Sequence, residues 1–286
     1  MMHDSLDAFL RSTAKPSKGP IALILAEDAT EIPSTLQHHI QIGFPQILLL
    51  TDTDHAIPED LADRIQQIRY ETKAENALPN AVNAAIPAFP GQWLYACFNA
   101  EYLFFPFCEN RTVGEMLAFH TEERRDAMLT YVVDLYAGNL DAHPDAVSLE
   151  DAHLDRSGYY ALGRRARADA FHDRQLDFYG GLRWRFEEHV PKARRRIDRI
   201  AIFRARPSLE MRPDQTFTDE EYNTYSCPWH HNLTAAICSF RTAKALRKNP
   251  GSRHDIHTFQ WRNSAPFEWR SQQLLDLGLM EPGQWF

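Results

Sequence analysis

The sequence predicts an α/β fold with parallel strands in its core. Residues 21–25 are a short, wholly apolar run, which is typical of a strand covered on both faces of a parallel sheet, and residues 46–50 repeat this signature after the polar Gln46. The segment between them has helical periodicity, and the order strand, helix, strand implies a right-handed crossover between parallel neighbours. With 286 residues, of which 44% are apolar, the chain can bury one sizeable core or two small ones, and we expect a single domain over residues 1–286.

The first half of the chain predicts three helices and a further strand. Apolar side chains recur at helical spacing over residues 33–43, and Gly43 ends the pattern as a C-terminal glycine often does. Residues 58–68 and 78–86 predict two more helices, and prolines break the chain after the second. A strand is expected to start at Trp93.

The second half gives a less regular pattern. Residues 115–136 predict a helix that passes into a strand, and residues 197–203 predict another strand after a run of arginines. Residues 137–190 are polar and aromatic without periodicity, and such a long irregular region favours a functional lid or an acceptor platform over a linker. Residues 233–246 have helical spacing of their apolar side chains.

Composition and motifs exclude several classes of protein. The formal net charge of −8 argues against a general binder of nucleic acid or of anionic membranes, although it is compatible with a local basic patch. The four cysteines lack the close pairs of a zinc site and fit a reducing cytoplasm. No Walker-type loop, GxGxxG pattern or GxSxG elbow occurs, which argues against NTP hydrolysis, NAD binding and serine hydrolysis. We also expect no signal peptide and no transmembrane segment, because no apolar run reaches the roughly 18 residues that a span needs.

Acidic side chains follow the first two predicted strands. Glu27 and Asp28 come after the first, and Asp52 and Asp54 come after the second. Ligands of open α/β sheets bind outside the carboxyl ends of the strands, so these four side chains are placed to face a ligand. Acidic residues also cap helices and solvate turns, and composition alone favours that ordinary role.

Three segments within the first 110 residues form a recognisable set: Leu-Ala-Glu-Asp at residues 25–28, the run at residues 43–52 after a helix with two histidines, and the Trp-Leu-Tyr strand at residues 93–103. Together they resemble the glycosyltransferase family 2-like proteins of the nucleotide-diphospho-sugar transferase superfamily. In that family the third segment usually carries an Asp-x-Asp motif whose aspartates hold a divalent metal against the donor diphosphate. The residues at the corresponding positions here are Phe98, Asn99, Ala100 and Glu101.

The resemblance implies a type A glycosyltransferase-like fold, with a nucleotide-binding half at about residues 18–110 and an acceptor or lid half at about residues 111–286. It implies a nucleotide-diphospho-sugar donor and a glycan or lipid-linked acceptor. An inverting transferase needs a carboxylate that deprotonates the acceptor hydroxyl, and Glu101 and Asp134 are the candidate bases. Asn99 is a candidate contact to a sugar hydroxyl. The family implies Mg²⁺ or Mn²⁺, but the loss of two acids predicts no tightly held metal at residues 98–101.

Basic side chains in the second half are candidates to neutralise the diphosphate instead. Arginine binds phosphate bidentately and keeps its charge, so Arg194 and Arg196 suit this role. His230, His231 and Arg241 lie in a late segment that looks like the family's phosphate-closing element. The ordinary explanations are a solvated face paired with neighbouring acids and, for the two histidines, a helix cap and a surface position.

Two functions therefore stay open for this chain. The first is sugar transfer, with or without a metal ion. The second is that of a catalytically inactive descendant that binds a sugar, a nucleotide or a protein partner, and the missing metal-binding acids support it.

Overall fold

The computed structural model of the chain describes residues 2–12, 15, 18–167, 169–226 and 232–285. Contacts divide the chain into two compact units. The first comprises Met1–Tyr102, Cys108–Leu129 and Ile200–Asn223, and the second comprises Leu103–Phe107, Thr130–Arg199 and Thr224–Phe286. Both units contain strands and helices, so the predicted α/β class is confirmed.

The strands in chain order are β1 (Met2–His3), β2 (Ile21–Ala26), β3 (Gln46–Thr51), β4 (Ile65–Arg69), β5 (Trp93–Phe98), β6 (Glu101–Phe104), β7 (Ala127–Ala137), β8 (Ala152–Asp155), β9 (Tyr160–Arg167), β10 (Ala170–Tyr179), β11 (Asp198–Arg204), β12 (Ala235–Ser239) and β13 (Ser264–Pro266). The helices are α1 (Leu6–Arg11), α2 (Ile32–Gln41), α3 (Ala77–Ala85), α4 (Val113–Glu122), α5 (Gly181–Arg185), α6 (Arg241–Lys248) and α7 (Ser271–Asp276). In the described part of the chain, no helix is long and apolar enough to cross a membrane.

The first unit is built on a mixed sheet with the order β1-β4-β3-β2-β5-β11. Strands β1 to β5 pair in parallel, and β11 pairs with β5 in the antiparallel direction. Every side chain of β2 is buried, as the continuous apolar run predicts for a central strand. The strands predicted at residues 21–25, at residues 46–50 and from Trp93 are confirmed, as are the helices now labelled α2 and α3.

The helix predicted over residues 58–68 is wrong. A short 3-10 helix, Glu59–Arg64, is followed directly by strand β4. This strand pairs with β3 on one side and with β1 on the other. Hydrogen bonds from two neighbouring strands outweigh the weak local preference of a five-residue segment for either structure.

The second unit differs from its prediction in two places. Residues 137–190, predicted to be irregular, contain β8, the β9–β10 hairpin and α5. The helix predicted over residues 233–246 is wrong at its start, because Ala235–Ser239 forms β12, which pairs in parallel with β7, and only then does α6 begin. A short, wholly apolar run fits a buried strand and a buried helix equally well by periodicity. Strand β8 pairs antiparallel with β7 and with β13.

Candidate functional site

Three parallel strands of the first unit end side by side. Ala26 at the end of β2 pairs with Thr51 at the end of β3, and Leu25 pairs with Phe98 at the end of β5. The loops that start at residues 27, 52 and 99 therefore leave the same edge of the sheet. The chain order reverses here, because β3 and β4 lie on one side of β2 and β5 lies on the other. A crevice at such a reversal is the usual ligand site of an open α/β sheet.

Asn99 joins the two loops that flank this reversal. Its side chain is only 1% exposed, and its Oδ1 accepts the backbone N–H of Glu27 at 3.0 Å. Its Nδ2 donates to Asp28 Oδ1 and to Thr30 O, both at 2.8 Å. Both ends of the amide are thus engaged inside the protein. Asn99 positions the loop after β2 and, as folded, does not offer an atom to the sugar hydroxyl for which it was predicted.

Glu27 and Asp28, the two acids predicted after β2, are half-buried in the loop that leaves this strand at the reversal. Asp28 Oδ1 also accepts the N–H of Thr30 at 3.0 Å, which fixes the carboxylate on the loop. These two side chains keep enough exposure to meet a ligand. The structure therefore brings together Glu27, Asp28 and Asn99, three of the predicted donor-binding residues.

The turn after β5 is held by one hydrogen bond within it and by another to helix α2. Ala100 has a φ of +58°, a left-handed conformation that costs a non-glycine residue about 1 kcal/mol. Its N–H donates to Thr35 Oγ1 at 2.9 Å. Glu101 is fully buried, and its Oε2 accepts the N–H of Phe98 at 3.0 Å. A general base must reach the hydroxyl that it deprotonates, and Glu101 lacks the exposure that its predicted catalytic role requires.

This turn does not fit the divalent cation that the family resemblance implies. Phe98 and Ala100 provide no side-chain oxygen, while Asn99 Oδ1 and Glu101 Oε2 each accept a backbone N–H. Mg²⁺ and Mn²⁺ prefer several carboxylate or carbonyl oxygens. Among the residues that the structure describes, no group of three or more His, Cys, Asp or Glu side chains is arranged to hold a metal ion.

A cavity of about 550 Å³ lies beside the ends of β3 and β4. This volume falls within the roughly 300–1,000 Å³ of small-molecule sites. Asp52 lines the cavity, and Lys73 Nζ lies 3.4 Å from Asp52 Oδ2. Asp54 is exposed on the same loop. The other lining residues are Ser5, Leu6, Asp7, Arg69, Tyr70, Glu71, Asn80 and Ala84.

Sequence reasoning missed the residues that follow β4. Thr72 is buried, and its Oγ1 donates to Ala26 O at 3.0 Å, which ties the loop after β4 to the end of β2. Lys73 brings a positive charge to this edge. The helix predicted over residues 58–68 covers most of strand β4, so the sequence did not indicate that a loop follows this strand at the same edge of the sheet. The signal that could have revealed it is the pair Ile65 and Ile68, which bounds a short β-compatible run.

A buried histidine on α2 packs against strand β5. His39 is fully buried on α2, with Nδ1 2.7 Å from Thr35 O and its ring stacked on Tyr95 at 5.3 Å. Burial disfavours the charged form and lowers the pKa of His39 to about 3, and the neighbouring His38 acts in the same direction. His39 is therefore neutral near pH 7, and its protonation would oppose folding.

Asp134, the second predicted base, lies inside the second unit. It is 1% exposed on β7, and its Oδ2 accepts the N–H of Leu182 at 3.0 Å. Arg183 Nε lies 3.7 Å from Asp134 Oδ1, and burial raises the pKa of this carboxyl. An ideal Cβ on Gly181 would lie 2.8 Å from the same Oδ2. Asp134 therefore holds the start of α5, and as folded it does not reach an external hydroxyl.

The predicted basic residues of the second unit have varied surroundings. Arg196 forms ion pairs with Asp177 at 3.1 Å and with Asp198 at 3.8 Å, which agrees with the ordinary explanation of a paired face. Arg194 is exposed, and Arg241 is half-buried at the first position of α6. The predictions for His230 and His231 fall outside the described residues. An approach of these side chains to a diphosphate stays a prediction.

Comparisons with known proteins give weak similarities. No protein-family model matches the chain, and no curated protein matches it. The crystal structure of S. aureus TarS 1–349 in complex with UDP is 13% identical, covers 39% of this chain and 34% of that chain, and has a TM-score of 0.27. UDP-glucose pyrophosphorylase from Acinetobacter baumanii is 11% identical, covers 82% of this chain and 95% of that chain, and has a TM-score of 0.33. With TM-scores this low, neither similarity identifies a function for this chain.

Proposed function

We propose that the first unit binds a nucleotide-diphospho-sugar and that the protein transfers the sugar to a glycan or lipid-linked acceptor. The observation that carries this proposal is the reversal of strand order between β2 and β5, with Glu27 and Asp28 in the loop that leaves β2 there. The cavity beside Asp52 adds space for a small molecule along the same edge.

Each group at this edge has a role that its chemistry allows. The half-exposed Glu27 and Asp28 accept hydrogen bonds from hydroxyls, and either carboxylate can take the proton of an acceptor hydroxyl. Asp52 and Asp54 accept hydrogen bonds from the nucleoside. The ammonium group of Lys73 can form an ion pair with a phosphate. The acceptor oxygen attacks the anomeric carbon, and the nucleoside diphosphate leaves with the electron pair of the broken bond. The same proposal includes basic side chains of the second half of the chain that neutralise the charge of the leaving diphosphate. These are Arg194, Arg196, His230, His231 and Arg241.

A binding protein without catalysis is the second candidate. The burial of both predicted bases favours it, since Glu101 is 0% and Asp134 is 1% exposed. The unsuitable turn at residues 98–101 favours it as well, because a leaving diphosphate normally needs a cation beside it.

A thermal-shift titration with UDP, GDP and their sugar conjugates, each with and without Mn²⁺, tests nucleotide binding. A ligand that binds only the folded state at 100 times its Kd stabilises that state by about 2.7 kcal/mol, which is a readily measured shift in melting temperature. We expect Asp52→Asn to reduce the shift. The matched control is Asp60→Asn, at an exposed acid on the 3-10 helix before β4.

Release of UDP or GDP from the sugar conjugate separates the two candidates. Turnover supports the transferase, and binding without turnover supports the inactive protein. If no nucleotide or nucleotide sugar shifts the melting temperature, the proposal is refuted.

A further inference from the structure

The two units differ in the charge of their sequences. The first unit carries 12 Lys and Arg side chains against 23 Asp and Glu, whereas the second carries 19 against 16. The net charge of −8 is therefore concentrated in the first unit, and the second unit has a small positive excess. Such an excess attracts anionic ligands.

One exposed tryptophan of the second unit is held in place by its neighbours. Trp184 on α5 is 41% exposed, and the centre of its ring lies 6.5 Å from that of Trp261. Gly158 lies against the same ring, since an ideal Cβ at this glycine would be 3.0 Å from Trp184. The absence of a side chain at Gly158 allows this close approach of backbone and indole. These contacts use only part of the indole, and the rest of it faces solvent.

Trp261 is itself fixed by a buried carboxylate. Its Nε1 donates to Asp155 Oδ1 at 2.7 Å, and Asp155 is 1% exposed. Arg185 also donates to Asp155, at 3.0 Å, and its guanidinium lies 4.7 Å from the centre of the Trp261 ring. The two indoles are therefore preorganised, which spares a ligand the entropy cost of ordering them.

Two exposed arginines border the pair of indoles. The guanidinium of Arg262 lies 6.0 Å from the centre of the Trp261 ring. Arg156 Nη2 donates to the carbonyl of Arg262 at 3.4 Å, which brings Arg156 to the same place. Neither arginine forms an ion pair with a carboxylate of the described residues, so their charges are available to a ligand. We call the four side chains Trp184, Trp261, Arg156 and Arg262 the indole–arginine surface.

The chemistry of this surface suits a sugar chain that carries carboxylates. An indole offers a flat apolar area against which the C–H groups of a sugar ring pack, and a guanidinium binds a carboxylate through two hydrogen bonds. Single-stranded nucleic acid also binds aromatic and basic side chains, but its successive bases stack on them. The planes of Trp184 and Trp261 are inclined by 63°, so the two rings do not offer parallel faces to neighbouring bases.

We propose that the indole–arginine surface binds an acidic glycan. A sugar ring packs on the exposed part of Trp184, and its carboxylate or that of the next sugar pairs with Arg156 and Arg262. The choice of a sugar chain as the ligand rests on the proposed function, in which a glycan accepts the transferred sugar.

Calorimetric titration of the full chain with short oligomers of galacturonic acid tests the proposal. We expect binding that weakens at high salt, and much weaker binding of the same oligomers as neutral methyl esters. Trp184→Ala should weaken binding by about tenfold, while Trp184→Phe should retain most of it. Arg156→Gln with Arg262→Gln should weaken binding by about fivefold per arginine. The matched control is Lys248→Gln with Arg253→Gln, which removes two exposed charges elsewhere in the same unit and should bind as the wild type does.

Several results would overturn the proposal. The wild type does not bind the acidic oligomers, the neutral esters bind as tightly as the acids, or the Trp184→Phe and arginine variants show that neither the indole nor the charges matter by binding as the wild type and the control do. Tighter binding of a short oligothymidylate would instead assign the surface to nucleic acid.

The titration contains no nucleotide, so the two proposals fail separately. Turnover of a nucleotide sugar by a chain that binds no acidic oligomer would refute only the assignment of the indole–arginine surface. Binding of the oligomers by a chain that binds no nucleotide or nucleotide sugar would refute only the proposed function.

Discussion

Replacing Asn99 by aspartate tests whether this side chain holds together the loops that follow β2 and β5. The change keeps the shape of the side chain and turns its two N–H donors into a carboxylate oxygen. That oxygen would face Thr30 O and Asp28 Oδ1, which lie 2.8 Å from Nδ2 in the wild type. The lost bond to Thr30 is worth about 1 kcal/mol, and the charge-assisted bond to Asp28 about 2 kcal/mol. We therefore expect Asn99→Asp to lower the free energy of unfolding by about 3 kcal/mol at pH 7, before any repulsion from Asp28 is added.

Urea unfolding at several pH values measures this loss by linear extrapolation. Burial and the neighbouring Asp28 raise the folded-state pKa of the introduced carboxyl above its unfolded value. The variant's deficit should therefore be largest at neutral pH and shrink as the pH falls through that raised pKa. The matched control is Asn110→Asp, at an exposed asparagine of the same unit. A loss below about 1 kcal/mol relative to this control would refute the bridging role of Asn99.

Three further predictions concern buried groups. The pKa of His39 falls from 6.5 to about 3 on folding, so its contribution to stability is complete above pH 6.5 and is lost as the pH falls towards 3. Between pH 7 and pH 5 this amounts to about 2 kcal/mol, and the unfolding free energy of His39→Gln should show a pH dependence weaker by that amount. Gly181→Ala should lower the free energy of unfolding by more than about 1 kcal/mol, because φ is +60° and the new Cβ would lie 2.8 Å from Asp134 Oδ2. The matched control is Gly91→Ala, whose new Cβ meets no atom within 4 Å and which therefore measures the backbone cost of a positive φ alone. Asp155→Ala should destabilise by about 3–5 kcal/mol, because it leaves the largely buried guanidinium of Arg185, 3.0 Å away, without its carboxylate. Equal melting temperatures of variant and wild type would contradict this.

The sequence predicted only part of the candidate site. The apolar runs of β2 and β3 predicted strands, and their ends placed Glu27, Asp28 and Asp52 at one edge, as observed. The exposure of a carboxylate, by contrast, depends on what packs over it. Glu101 was predicted as a base because it is the acid that remains at the positions of the family's Asp-x-Asp motif, yet the turn folds its side chain back onto the N–H of Phe98.

The amino-acid sequence by itself determined the class of the fold, because continuous apolar runs must be buried on both faces and amphipathic segments between them must pack against the resulting sheet. The tertiary structure alone decided that β4 is a strand, because two neighbours supply its hydrogen bonds. It also decided that Asn99 bridges two loops, because its partners lie about 70 residues earlier in the chain, with sequence separations of 69 to 72. Such contacts form only when distant segments meet, and no local pattern of residue types records them.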